Sequence, residues 1–440
     1  MSSTLPTATD IARQLNYFEY KTFYTTFINT ATMKLAILTI LTLFTTAITA
    51  QDVEGCNGER YRDYVTDSVT VIPDIQYGAG LLYPTEVATE LYLDVYTPFG
   101  DDAVESRPMM IFAFGGSFIE GTRKDIAFMC EDFAKRGYVA VSIDYRLYDG
   151  PLFPLPNATT MKNVVIRAVS DMKGAIKYLR QDADVNNTYG IDPDQIYVGG
   201  ISAGSILACH VAMLDDDDDL PADLVAIIDE NGGLEGNSND ITGYSTEVSG
   251  LINYSGGLND ASWIDSEDPT FISVHDENDG IVPYGAGFAT VFGFPIIAME
   301  GSLILSETAD SVGVDNELIT FENSLAHVGF LLSETTTVSV FNSTSRFVQE
   351  LVCPSIVSTT TLGVPSSITV YPNPTTGLIQ IQSDTEVVAV DITNSTGSTY
   401  AVGMQNKSAD LSGLPQGLYT LTIYSSDGTV ASQKVVVAAH

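Results

Sequence analysis

The first two thirds of the chain alternate between strand-like and helix-like patterns of apolar residues. Residues 90–96 alternate between apolar and polar side chains, which predicts a half-buried strand. Residues 109–114 and 138–143 are continuous apolar runs of strand length, which predict strands covered on both faces. Shorter apolar runs predict further strands at 195–199, 224–228 and 270–274.

Apolar residues recur at helical spacing between these predicted strands. The spacing predicts helices over 126–134, which should end near Gly137, over 164–179 and over 202–213. Strands that alternate with helices indicate an α/β domain with a mostly parallel sheet.

The pattern changes near residue 354. A Ser/Thr-rich connector at 354–365 is followed by short alternating strands and turn signals such as Asp427-Gly428. This pattern predicts a small all-β sandwich at 366–440. Because this module contains no nucleophile with an obvious partner, we expect catalysis in the preceding domain, 51–353.

Charge excludes one class of partner. The 440 residues include 56 Asp and Glu against 19 Lys and Arg, a formal net charge of -37. Such a surface repels phosphate backbones and anionic headgroups, so we expect no nucleic-acid binding. The acidic run 215–219 is interpreted as a solvated turn, with a cation site as the alternative.

An export signal is predicted at 33–50. Met33-Lys34 precedes an apolar, Thr-rich stretch that ends at Ala50, where cleavage is expected. Residues 1–32 are then interpreted as an over-extended start. The alternative is an uncleaved anchor, but the stretch is short for a bilayer span, so we expect no permanent anchor in the mature protein.

Four cysteines fall in the exported portion: Cys56, Cys130, Cys209 and Cys353. An oxidising compartment permits up to two disulfides among them, and all three pairings remain open. Cys209 lies in a predicted buried helix, which favours a free thiol.

The sequence Gly200-Ile201-Ser202-Ala203-Gly204 lies between a predicted strand and a predicted helix. In a G-x-S-x-G elbow the serine sits in a strained turn that presents its hydroxyl to a pocket, so Ser202 is the predicted nucleophile. The Gly115-Gly116 pair follows a buried strand, where N–H groups for an oxyanion are expected. The alternative for this pair is an ordinary turn.

The acid and the histidine should follow the serine in that order. Asp276, Glu277 and Asp279 all follow the predicted strand 270–274, and each is a possible acid. Among the four histidines, one lies in the helix after the elbow, one precedes the acids and one is the last residue: His210, His275 and His440. His327 is therefore the predicted base.

Five segments together resemble the carboxylesterases of the α/β-hydrolase superfamily, including feruloyl and acetyl-xylan esterase relatives. They are residues 93–98, 114–118, 144–147, 199–204 and 275–283, within a resemblance that spans roughly residues 60 to 350. The resemblance implies an α/β-hydrolase fold and a serine esterase with no metal or organic cofactor. It also implies esters of polysaccharides, acetyl or feruloyl, as substrates.

The resemblance assigns individual roles. It selects Asp279 as the acid and the N–H groups of Gly116, Ser117 and Ala203 as the oxyanion hole. Two departures from the family pattern leave the shape of the pocket open: Phe114 stands where a histidine is usual, and Asp276 where a glycine is usual.

Contacts to substrate are predicted for Phe118, in the glycine-rich loop, and for Glu230 and Asn231. The polar stretch 230–238 follows the predicted strand 224–228 and should overhang the pocket. A polar loop there would obstruct long acyl chains, which favours short ones. The alternative is a flexible loop that contacts no ligand.

The C-terminal module resembles the type A sorting domain of the type IX secretion system. The resemblance rests on residues 370–377, 410–419 and 434–437. It implies the type IX machinery as a partner, with export through the periplasm and outer membrane of a Gram-negative bacterium to the cell surface or the medium. The alternative is a generic adhesion module.

These observations predict a secreted serine carboxyl-ester hydrolase. A serine peptidase of the same fold shares the chemistry, and some relatives with this fold have lost catalysis and only bind. The ordered serine, aspartate and histidine argue against a silent binding protein.

Overall fold

The structure, a computed structural model, describes residues 56, 59–101, 104–216, 218–353, 369–383, 387–394, 399–401, 404–405, 407–425 and 430–438. The chain divides into two compact units, one that ends at Ser355 and one that begins at Ile356. The predicted start segment 1–32, signal 33–50 and connector 354–365 lie outside the described residues.

The strands of the first unit are β1 (Val69–Leu81), β2 (Ala88–Pro98), β3 (Arg107–Ala113), β4 (Val139–Ile143), β5 (Ile191–Ile201), β6 (Gly250–Tyr254), β7 (Gly257–Leu258), β8 (Phe271–Asp276), β9 (Ala286–Val291), β10 (Phe294–Gly301) and β11 (Asn316–Phe321). Its helices are α1 (Ala127–Lys135), α2 (Ala158–Val185), α3 (Ala203–Met213), α4 (Ala222–Glu230), α5 (Ser302–Val312) and α6 (Glu334–Val352). Short 3-10 helices cover Arg123–Ile126, Ala261–Trp263 and Gly329–Leu331.

Eight of these strands form one sheet in the order β1-β2-β4-β3-β5-β6-β8-β11. The strands β1 and β2 pair antiparallel, and all pairs from β4 to β11 are parallel. Every residue of β3 and β4 is buried, as the continuous apolar runs predict. The predicted α/β-hydrolase architecture with a mostly parallel sheet is confirmed.

One predicted strand is wrong. Residues 224–228 lie in the helix α4, which buries Leu224, Ile227 and Ile228. Their spacing of three and four residues places them on one face of a helix, and the run Leu-Val-Ala-Ile-Ile satisfies this pattern as well as that of a buried strand. Packing, rather than the local pattern, decides between the two.

The second unit contains two antiparallel four-stranded sheets among its described residues. One sheet consists of β12 (Thr369–Tyr371), β13 (Leu378–Gln382), β17 (Ser408–Asp410) and β16 (Met404–Gln405). The other consists of β15 (Thr399–Ala401), β14 (Val387–Asn394), β18 (Gly417–Ser425) and β19 (Val430–Val437). Alternate residues of the strands, such as Ile379 and Ile381, form the apolar core of the second unit. This confirms the predicted β module.

A disulfide joins Cys56 to Cys353, and Cys130 and Cys209 are buried free thiols. The bond links the beginning of the described first unit to the end of α6. The sequence permits three pairings of the four cysteines. The structure selects the one that joins Cys56 to Cys353, and it contains only that bond of the pairing among the described residues.

At the acidic run, the Asp215 N–H donates to the Asp218 carboxylate at 3.0 Å. No cluster of His, Cys, Asp or Glu that could hold a metal ion occurs among the described residues, and Asp217 lies outside them. No helix within the described ranges is long and apolar enough to cross a bilayer.

Candidate active site

Ser202 lies in a sharp turn between β5 and α3. Its backbone angles, φ 56° and ψ −119°, fall outside the regions that residues with a side chain favour, as expected of a nucleophile elbow. Gly204 permits this turn, because a Cβ atom there would lie 2.1 Å from the carbonyl oxygen of Ala113 on the neighbouring strand. The helix α3 can therefore approach the end of β3 this closely only because residue 204 is glycine.

Three parallel strands place the predicted acid and base beside this serine. Ser202 follows β5, Asp279 follows β8 and His327 follows β11, so all three lie beyond the carboxyl ends of strands. The His327 Nε2 lies 2.7 Å from the Ser202 Oγ, and its Nδ1 lies 2.6 Å from the Asp279 Oδ2. The structure thus brings the three predicted side chains into one hydrogen-bonded chain.

The environment of Asp279 keeps it ionised. Burial would raise the pKa of Asp279, but hydrogen bonds from His275 and His327 and the positive charge that His327 gains lower it to about 2. The other carboxylate oxygen, Oδ1, accepts the N–H groups of Ile281 at 2.8 Å and Val282 at 3.2 Å. These bonds direct Oδ2 toward the imidazole of His327.

The two other candidate acids point elsewhere. Asp276 is buried, and its Oδ2 accepts the N–H of Gly329 at 2.7 Å. Glu277 accepts the N–H of Asn323 at 2.6 Å and is exposed. Both carboxylates therefore hold the backbone of the loop that carries His327, and neither contacts the imidazole.

His275 belongs to a buried polar network behind Asp279. Its Nε2 lies 3.5 Å from the Asp279 Oδ2, and its Nδ1 lies 2.7 Å from the hydroxyl of Ser302. Asn253 donates to Ser302 at 3.0 Å and accepts from Ser205, on α3, at 2.7 Å. This network connects Asp279 to the helix α3, which begins directly after Ser202.

The glycine-rich loop after β3 lies against the serine. A Cβ atom on Gly115 would lie 3.3 Å from the Ser202 Cβ. Gly116, Ser117 and Phe118 have consecutive positive φ angles of 124°, 55° and 59°. The N–H groups of Gly116, Ser117 and Ala203 donate to no other group in the described part of the chain. Ala203 also lies at the N-terminus of α3, where the helix dipole favours negative charge.

Two of these loop residues form aromatic contacts. The ring of Phe114, which stands where the carboxylesterases that the chain resembles usually have histidine, stacks on Tyr145 with centroids 4.3 Å apart. Phe118 meets the same Tyr145 ring edge-on at 5.8 Å. Phe114 is therefore a core residue that supports the loop.

A cavity opens beside Ser202 and is lined mainly by apolar side chains. They come from α2, from α3, from the 3-10 helix Ala261–Trp263 and from the β9–β10 hairpin: Met161, Val165, Ile166, Ile206, Trp263, Val291, Ile296, Ile297 and Met299. Ser117, Phe118 and Ala203 also line it. The cavity thus offers a mainly apolar wall next to the serine hydroxyl.

The structure places Phe118 at this cavity but not Glu230 or Asn231. Asn231 is buried and donates to the carbonyl of Ile227 at 2.7 Å. The stretch after it packs on α2 and β1, because the Ser238 hydroxyl donates to Asp171 and the Ala79 N–H donates to the Ser238 carbonyl at 2.8 Å. The expectation that this loop overhangs the pocket is wrong, since it follows a helix and not a strand.

Sequence reasoning missed the network residues and the hairpin. Nothing local distinguishes Asn253 or Ser302 from other polar residues, and their role depends on contacts 20 to 49 residues away along the chain. The hairpin β9–β10 was recoverable in part, because Phe292-Gly293 separates two runs of mixed apolar residues.

Comparison with known families gives two matches. Residues 93–260 match the family BD-FAE, and residues 369–438 match the secretion system C-terminal sorting domain. The first match includes the elbow and the glycine-rich loop and ends before the acid and the histidine.

The chain is also similar to individual proteins. A probable isoprenylcysteine alpha-carbonyl methylesterase from Oryza sativa subsp. japonica is 29% identical over 174 residues, 39% of this chain and 34% of the relative. The probable isoprenylcysteine alpha-carbonyl methylesterase ICMEL1 from Arabidopsis thaliana is 27% identical over 174 residues, which are 39% of this chain and 30% of the length of that relative. The chain spans about a third of the length of these relatives. Thermogutta terrifontis esterase 2 phosphoramylated by tabun is 21% identical, with a TM-score of 0.46 over 65% of this chain and 96% of that one.

Proposed function

We propose that this chain, which carries an α/β-hydrolase esterase domain and a C-terminal secretion sorting domain, hydrolyses carboxylic esters through an acyl-enzyme on Ser202. The observation that carries the proposal is the 2.7 Å contact between the Ser202 Oγ and the His327 Nε2. A serine hydroxyl is a poor nucleophile until a base accepts its proton, and the imidazole is positioned to do so.

The first half of the reaction forms the acyl-enzyme. The Ser202 oxygen attacks the ester carbonyl while its proton passes to His327, and Asp279 stabilises the imidazolium that forms. The negative charge that develops on the carbonyl oxygen faces the N–H groups of Gly116, Ser117 and Ala203. Each such donor contributes about 3 kcal/mol to the transition state.

The second half releases the products. His327 returns the proton to the departing alcohol, and a water molecule then repeats the attack on the acyl-enzyme with the same base. Ser202 recovers its proton when the acid leaves. The residues present supply every proton transfer in this cycle.

The substrates are esters of polysaccharides, in keeping with the sequence resemblance and with export. The apolar cavity favours an aromatic acyl group such as feruloyl over acetyl, because an acetyl group would leave most of its wall uncovered. This preference reverses the one expected from the polar stretch 230–238, which lies elsewhere in the fold. The sorting domain directs the protein to the cell surface or the extracellular space.

The test is hydrolysis of a series of acetyl, octanoyl and feruloyl esters by the full chain and by Ser202→Ala. We expect the variant to lose activity by about six orders of magnitude with an unchanged melting temperature. Ser262→Ala, at an exposed serine, is the matched control and should retain full activity. Undiminished turnover by Ser202→Ala would refute the proposal.

A covalent probe tests the same assignment independently. A fluorophosphonate should add once to the full chain, and peptide mass spectrometry should place the adduct on Ser202. Absence of the adduct from Ser202→Ala is the expected control result.

A further inference from the structure

The cavity beside Ser202 follows one face of α3. Ser202, Ala203, Ile206 and His210 all line it, and residues spaced four apart lie above one another on a helix. His210 is eight residues beyond Ser202, which places it roughly 12 Å further along the helix axis. The cavity therefore extends along α3 from Ser202, past Ile206, to His210.

His210, which lines this cavity, carries a hydrogen-bond acceptor that no described residue uses. Its Nδ1 lies 2.8 Å from the carbonyl oxygen of Ile206, and because a carbonyl only accepts, Nδ1 carries the proton and Nε2 the lone pair. Burial lowers the pKa of His210 to about 4, so the ring is neutral at neutral pH. Nε2 has no partner among the described residues, and the ring of Trp263 packs edge-on at 5.8 Å.

Two other polar side chains of the cavity, Lys162 and Thr290, already have partners. Lys162 pairs with Asp223 at 2.8 Å, and the Thr290 hydroxyl donates to a backbone carbonyl at 3.0 Å. The Asn259 amide donates to the carbonyl of Ala298 at 2.8 Å, which leaves its own oxygen as the alternative acceptor.

The group that enters the cavity is the acyl group. In the proposed reaction His327 protonates the departing alcohol, so the alcohol lies next to the imidazole, which does not line the cavity. The acyl group stays bonded to Ser202 and occupies the opposite side. Its far end is then directed toward His210.

We propose that His210 is a specificity-determining residue whose Nε2 accepts a hydrogen bond from a hydroxyl at the far end of the acyl group. The cavity walls bind the apolar body of that group, and His210 distinguishes acyl groups that end in a donor from those that do not. This inference rests on the proposed function of Ser202.

The test compares two esters that differ only in the terminal hydroxyl, methyl 3-(4-hydroxyphenyl)propanoate and methyl 3-phenylpropanoate. We expect the full chain to favour the hydroxylated ester in kcat/KM by about tenfold or more. His210→Phe should reduce this ratio to near one, mainly through the hydroxylated ester. His210→Gln, whose amide oxygen accepts, should retain part of the preference.

Ile206→Val is the matched control, because it changes the cavity wall without changing its hydrogen bonding. It should affect both esters by the same factor and leave the ratio unchanged. If His210→Phe fails to fold, His210→Leu provides the same comparison with a smaller side chain.

Two results would overturn the inference. One is a ratio near one in the unmodified protein, and the other is a ratio that survives loss of the imidazole but disappears in Asn259→Ala. Either result, obtained while Ser202→Ala remains inactive, refutes the role of His210 alone. Ester hydrolysis that survives in Ser202→Ala refutes the proposed function instead.

Discussion

The Nδ1 atom of His327 lies 2.6 Å from Oδ2 of Asp279, whose side chain is completely buried. A carboxylate only accepts, so Nδ1 carries the proton and Nε2 is free to take the proton of Ser202. His275 lies behind the same carboxylate, with its Nε2 3.5 Å from Oδ2. The buried Asp279 thus sets the tautomer that His327 needs as the base of the proposed reaction.

Asp279→Asn should reduce kcat for ester hydrolysis by about 10⁴-fold, because an amide does not enforce this tautomer. Steady-state kinetics measure the effect, and circular dichroism should show an intact fold. Glu277→Gln is the matched control and should retain activity, because its amide oxygen still accepts the Asn323 N–H. A larger loss in Glu277→Gln than in Asp279→Asn would mean that the acid is misassigned.

Asp276→Ala should lower kcat by about tenfold and leave KM nearly unchanged. The substitution removes the acceptor for the Gly329 N–H, two residues after His327, and so loosens the loop that positions the imidazole. Asp276→Asn keeps an acceptor oxygen and should lose less. If the two variants were equally impaired, the negative charge and not the hydrogen bond would be the important property.

Asp268→Asn should stabilise the protein at pH 8 by about 1 kcal/mol and have little effect at pH 5. Burial, followed by the charges of Asp265, Asp215 and Asp218, raises the pKa of Asp268 to about 7. The folded state therefore holds a proton that the unfolded state releases near pH 4, and stability falls as the pH rises from 4 through 7.

Thermal melting at pH 5 and pH 8 measures the effect of Asp268→Asn. The substitution preserves an oxygen that accepts the Asp265 N–H, so the turn is retained. Equal melting shifts at the two pH values would contradict the assigned cause.

Loss of the disulfide between Cys56 and Cys353 should lower the free energy of unfolding by about 2–5 kcal/mol, because the bond closes a long loop in the unfolded chain. Melting temperatures with and without reductant measure this loss. In Cys353→Ser the reductant should have no further effect. A further drop would reveal a second disulfide in the molecule.

The secreted form should begin near Gln51 and end in the connector after Cys353. The predicted signal precedes Gln51, and the sorting domain directs export and is expected to be removed. Intact mass spectrometry of the protein from the medium measures both ends. A product that begins at Met1, or one that retains residues 366–440, would contradict the corresponding half of the prediction.

Much of the fold follows from local patterns. The apolar runs of β3 and β4 predict buried strands because both faces of a central strand contact helices. The run at 224–228 shows where this reasoning ends, since five consecutive apolar residues fit a buried strand and one face of a helix equally well. The polar stretch after it was misplaced for the same reason.

The sequence by itself predicted Ser202 as the nucleophile, His327 as the base and an acid between them, because the elbow is a local turn with its own residue requirements and His327 is the one histidine between the candidate acids and the last residue. The local pattern left Asp276, Glu277 and Asp279 open and only the resemblance selected Asp279, whereas the tertiary structure shows that Asp279 alone of the three is hydrogen-bonded to His327, since neighbours in a turn point in different directions. It also paired Cys56 with Cys353 and placed His210 in the same cavity as the β9–β10 hairpin. These relationships join residues far apart in the chain, and their distances depend on how the whole sheet and its helices pack.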